Sequence, residues 1–79
     1  MEAVEKIAVT EEAVSRLKEL ISSGDNLESG ILPSEDDLAE KLNVGVSTVR
    51  EALLVLQALG YVEIRRGRGV FAIEKREDV

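Results

Sequence analysis

A mainly α domain of three helices closed by a small β-hairpin is what the sequence predicts, and three observations predict it. Apolar residues recur at helical spacing in three separate stretches, each bounded by capping or turn residues. From residue 61 the period falls to two, the spacing of a half-buried strand. The two short strands there are parted by a glycine-rich turn, Arg66-Gly67-Arg68-Gly69.

Residues 1–9 show no clear period and are expected to be a flexible lead-in. The domain proper is expected over 10–74, with a flexible tail at 75–79. Thr10 is placed as the N-cap of the first helix, with Glu11 and Glu12 at its positive end. Ala13, Val14, Leu17, Leu20 and Ile21 form its apolar stripe and Gly24 stops it, so the helix is expected over 11–23. A polar loop follows from Asp25 to Gly30, and Ile31-Leu32 reads as a short extended piece before Pro33.

The second helix opens at Glu35. Ser34 and Asp37 have capping-box spacing, and Glu35, Asp36 and Asp37 lie where the helix dipole favours acids. Its stripe is Leu38, Ala39 and Leu42. Asn43-Val44-Gly45 supplies a sharp turn, because Asn and Gly tolerate the backbone angles a reversal needs. The third helix is expected over 46–59 with Gly60 as its stop. On a helical wheel Val49, Ala52, Leu53, Leu56 and Leu59 face inward, while Ser47, Arg50, Glu51, Leu54 and Ala58 face outward. Two short helices joined by a tight turn make a helix-turn-helix. A hairpin over 61–73, with Val62 and Ile64 on one side and Phe71 and Ile73 sharing a face, adds a wing. The fold class is therefore a winged helix-turn-helix.

The composition bounds the function. Seventy-nine residues make one small core, and with one Tyr, one Phe and no Trp that core is aliphatic. With no Cys there is neither a disulfide nor a thiolate metal site, which fits a cytoplasmic protein. No apolar run reaches the ~18 residues a membrane span needs, so no membrane role is expected. The net charge is −6, but it is unevenly spread. Residues 1–42 hold 11 acids and 4 bases, whereas residues 43–73 hold 2 acids and 4 bases. The positive part is the third helix and the hairpin, which permits nucleic-acid binding there.

Catalysis is not expected. The chain lacks His and Cys, the commonest base and soft ligands. Glu35, Asp36 and Asp37 fan out around a helix and cannot converge on a metal. No helix follows Gly67-Arg68-Gly69, so it is not a phosphate-binding loop. No cofactor is expected.

Ser47 and Thr48 are small enough to let a helix approach a groove closely, and Arg50 suits phosphate or guanine. The plain alternative is that Ser47 and Thr48 cap the helix start and Arg50 pairs with a carboxylate such as Glu35. Arg65, Arg66 and Arg68 make a second basic spot at the hairpin, although surface hairpins also carry such charges for solubility.

Leu32-Pro33-Ser34-Glu35, Leu38-Ala39, Val44, Thr48-Val49-Arg50-Glu51-Ala52-Leu53, Leu59-Gly60 and Gly67-x-Gly69-x-Phe71 together resemble the N-terminal domain of the GntR family of bacterial transcription regulators. The run from Leu59 to Glu63 looks most like the fatty-acid-regulator subfamily. The resemblance implies a two-fold-symmetric double-stranded DNA operator, a homodimer in the full-length protein, and a C-terminal effector-binding domain that this chain does not contain. Carried over by position, it implies DNA contacts at Gly45, Ser47, Thr48, Arg50, Arg66 and Gly67, with Arg68 beside them. Asp36 and Val46 stand at two further DNA-facing positions where the family usually has arginine. Loss of two such charges is expected to weaken binding. The rival reading is a winged helix used for protein contacts, for which Asp36, Val46, Leu54 and the net acidity speak.

Overall fold

A computed structural model describes residues 2–23 and 30–73. Three helices, α1 (Glu2–Ser23), α2 (Glu35–Leu42) and α3 (Val46–Ala58), precede two antiparallel strands, β1 (Val62–Arg65) and β2 (Gly69–Ala72). The expected loop at 25–29 and the tail at 75–79 lie outside the described residues.

The short helices are delimited as their sequences dictate. Ser34 sits in extended conformation and its Oγ accepts the Asp37 N–H at 3.1 Å, with three acids in the first turn of α2. At the other end Asn43 takes the left-handed conformation, φ 59°. The Val44 N–H then reaches the Ala39 carbonyl at 3.0 Å and the Asn43 N–H the Glu40 carbonyl at 3.3 Å. This pair of bonds is a Schellman ending, which satisfies carbonyls the helix leaves open. The same ending closes α3: Gly60 has φ 87°, Tyr61 N–H bonds Leu56 O at 2.9 Å, and Gly60 N–H bonds Gln57 O at 3.0 Å.

Two expectations need correction. The first helix does not start after Thr10 but at Glu2. In this early part Ile7 and Val9 are exposed, so they add nothing to the buried stripe. A run without Gly or Pro, rich in Glu and Ala, extends as helix without that stripe. Thr10 is accordingly no cap. It lies inside α1, and its hydroxyl donates to a Glu51 carboxylate oxygen on α3 at 3.2 Å. The second correction is Leu59, expected inside and found 51% exposed. Helix α3 ends one residue earlier, and Leu59 is its C-cap, with the side chain exposed there.

The core is aliphatic, as the composition requires. Ala13 and Leu17 of α1, Leu38, Ala39 and Leu42 of α2, and Val49, Ala52, Leu53 and Leu56 of α3 close over Leu32 and Val62. Burying a Leu or Val side chain is worth roughly 1.5–3 kcal/mol, so this cluster is the main source of stability. Arg16 reaches from α1 to the Leu42 carbonyl at 3.1 Å, tying α1 to the open end of α2. Lys18 stands 5.1 Å from the centre of the Tyr61 ring.

The wing is a hairpin with a third rung. Val62 pairs with Ala72 and Arg65 with Gly69. On the far side of β2, Ile31 bridges Phe71, with Leu32 N–H to Val70 O at 2.9 Å and Ala72 N–H to Gly30 O at 2.7 Å. The extended piece expected at Ile31-Leu32 is thus an added edge. Val62, Ile64, Val70 and Ala72 face the core. Phe71 faces away, under the Arg65 guanidinium at 4.6 Å. The other edge is also covered, because Gln57 Oε1 on α3 accepts the Ile64 N–H at 2.8 Å.

Candidate nucleic-acid interface

The expected contact residues fall into two groups on this frame. The first lies on the opening turns of α3. Gly45 is the N-cap residue, in extended conformation with φ −76° and ψ 160°, and no side chain caps the helix there. The first turn of α3 carries no acid, whereas that of α2 carries three. Helix α3 therefore presents N–H groups and the positive end of its dipole without a carboxylate in its own first turn, which suits a phosphate. Ser47 and Arg50 are exposed on this face and Thr48 is half-buried, while Val49 between them anchors the helix in the core.

The second group is the hairpin turn. Arg68 N–H bonds the Arg65 carbonyl at 2.9 Å, closing a four-residue turn in which Gly67 has φ 75°. A positive φ at that third position is what a type II turn demands, and it explains a glycine there. Arg66, Gly67 and Arg68 are exposed at this tip. Among the described residues Arg66 and Arg68 form no ion pair. Arg65 differs from both: it lies on β1, its Nη2 donates to Glu63 Oε1 at 3.2 Å, and its guanidinium covers Phe71. The free basic charge of the wing is therefore Arg66 and Arg68.

Asp36 and Val46 are held differently. Asp36 is exposed in the first turn of α2. Val46, the first residue of α3, is half-buried and packs against the core, so it is not part of an exposed apolar face. Leu54 is exposed as the wheel expects.

The start of α2 lies beside the start of α3, because Arg50 Nε donates to Glu35 Oε1 at 2.8 Å. This is the pairing the sequence offered as the plain alternative for Arg50. Sequence reasoning missed Gln57 as the link to the wing and the stacking of Arg65 on Phe71. Neither has a periodic signal, since both depend on side chains reaching between elements. Among the described residues there is no cluster of His, Cys, Asp or Glu that could hold a metal and no helix long and apolar enough to cross a membrane.

Residues 9–72 match the family described as bacterial regulatory proteins, gntR family. The chain is 36% identical over 76 residues to the Exu regulon transcriptional regulator of Escherichia coli K12, covering 96% of this chain and 30% of that protein. It is 46% identical over 43 residues to the Uxu operon transcriptional regulator of the same strain, covering 54% of this chain and 17% of that one. In structure it resembles a Streptococcus agalactiae GntR protein with a TM-score of 0.72 and 38% identity, over 80% of this chain and 30% of that chain. The N-terminal domain of AraR, solved in complex with a mutant ORR3, shares the fold with a TM-score of 0.72 at 23% identity, over 82% of this chain and 93% of that chain. The chain thus spans about a third of the first relative's length. It belongs to the GntR family of bacterial transcription regulators, and it forms their winged helix-turn-helix DNA-binding domain.

Proposed function

We propose that this domain binds double-stranded DNA with the opening turns of α3 in the major groove and the hairpin tip beside it. The observation that carries the reading is the uncapped, acid-free start of α3, with Ser47 and Arg50 exposed on it. Gly45, Ser47 and Thr48 would approach the backbone and base edges, and Arg50 would hold phosphate or guanine. Arg66 and Arg68 flank the turn glycine, Gly67, and supply a second point of attraction for the adjacent backbone. Asp36 repels phosphate from the edge of this surface, and Val46 presents no donor to a base, so the electrostatic contribution to affinity is reduced.

In the full-length protein the operator has two-fold symmetry and the protein is a homodimer acting in the cytoplasm, with effector sensing in a domain outside this chain. Readers of symmetric operators are built this way because protein symmetry mirrors that of the site. The domain itself performs no catalysis and needs no cofactor. The relatives described above are transcription regulators, and nothing in them favours a protein-contact module. Titration of a labelled random-sequence duplex at low salt tests the reading. Saturable binding that weakens steeply as salt rises supports it, and no binding at the lowest salt contradicts it.

A further inference from the structure

Among the described residues, Arg50 is the only arginine of the DNA-facing set that another side chain holds. Glu35 Oε1 accepts from its Nε at 2.8 Å, across the gap between α2 and α3. The pair is exposed, with Arg50's side chain 64% accessible, and exposed pairs add little to stability. A carboxylate at this place also opposes phosphate, so it costs non-specific affinity. The dipole of α2 favours an acid at Glu35, but that does not account for its contact with Arg50.

Orientation does. Guanidinium offers five N–H donors in a rigid planar fork, and Glu35 engages only Nε. The two terminal nitrogens stay available, and the bond to Nε biases the direction of the fork. Bidentate pairing with a guanine edge needs that planar pair of donors held in direction, and a side chain ordered beforehand loses less entropy on binding. Glu35 is the first residue of a helix whose Ser34 cap is formed, so its backbone is held in place beside α3. Resting on the DNA-binding reading above, we propose that Glu35 is a positioning residue that sets the Arg50 guanidinium for base reading, giving up non-specific affinity for discrimination between sequences.

The test uses the 79-residue chain as wild type, Glu35→Ala, Glu35→Gln and Arg50→Ala, each checked for an unchanged thermal transition. Each is used to enrich duplexes from a random pool, and affinity is then read on the enriched and a scrambled duplex. Glu35→Ala is expected to bind the scrambled duplex several-fold more tightly at low salt, because a repelling charge is gone, while its preference for the enriched sequence falls roughly tenfold. Glu35→Gln loses the same charge but keeps an acceptor for Nε, so it should gain on scrambled DNA and retain most of the preference. In the Arg50→Ala background Glu35→Ala should change the preference no further. If Glu35→Ala keeps the wild-type preference, or if it and wild type enrich equally or not at all, the positioning role is overturned. If wild type fails to bind even scrambled duplex at low salt, the DNA-binding reading falls, and this proposal with it.

Discussion

Gln57, in the last turn of α3, accepts the main-chain N–H of Ile64 on β1 at 2.8 Å, so the helix proposed to enter the groove and the wing beside it are joined by a hydrogen bond. That N–H lies on the edge of the hairpin away from β2, and the glutamine satisfies it. Gln57→Ala should cost about 0.5–1.5 kcal/mol, at the lower end because the bond is exposed. Amide hydrogen exchange should show faster exchange at Ile64 with little change in α1. Unchanged protection at Ile64 would mean that the bond does not order the wing.

Leu56 is fully buried where α3 meets α1 and the wing. Leu56→Ala should destabilise the domain by roughly 2–5 kcal/mol, a large share of what a small domain has. Chemical denaturation measures this directly, and a midpoint that scarcely moved would place the buried face of α3 elsewhere.

Two glycines should respond in opposite senses. Gly60 holds φ 87° in the Schellman ending of α3, so Gly60→Ala forces a side chain into the left-handed region at about 1–2 kcal/mol. Gly45 has an ordinary φ of −76° at an uncapped N-cap, and an added Cβ would meet nothing within 4 Å. Gly45→Ser should therefore stabilise by a few tenths of a kcal/mol, by supplying the missing cap. Thermal melts of both variants check the contrast; a loss at Gly45 equal to that at Gly60 would contradict it.

Local signals explain most of what could be read from the chain. Helix α2, the turn and α3 were legible within a residue because Ser34, Asn43 and Gly60 act through the backbone they sit on. The start of α1 was not, since Ile7 and Val9 ahead of Thr10 are helical yet exposed and carry no buried stripe. Leu59 misled because the wheel gives it the buried phase, whereas it is the C-cap one residue past the end of α3 and is exposed. At the proposed site, Ser47, Thr48, Arg50 and the hairpin arginines were singled out by their places on the expected helix and turn, and Gly45 and Gly67 by the family resemblance. The separation of Arg65 from Arg66 and Arg68 was not legible, because stacking on Phe71 depends on which faces the hairpin register brings together.

If the starts of α2 and α3 and the hairpin tip together face a DNA backbone, charge changes at those places must alter how binding depends on salt. Asp36 is exposed, so Asp36→Arg alters charge with little effect on packing. Val46 packs against the core, so Val46→Arg also loses some of that packing, although the aliphatic stem of arginine can cover part of it. The decisive experiment is fluorescence anisotropy on a scrambled duplex across a salt series, for wild type, Arg50→Ala, Asp36→Arg and the Asp36→Arg, Val46→Arg pair. Each phosphate newly neutralised, or no longer neutralised, should change the log–log salt slope by about one unit. Arg50→Ala should show a shallower slope and weaker binding. Asp36→Arg should show a steeper slope with tighter binding, further increased in the pair. Folded variants whose slopes all equal that of wild type would refute the placement, because none of those positions would then face DNA.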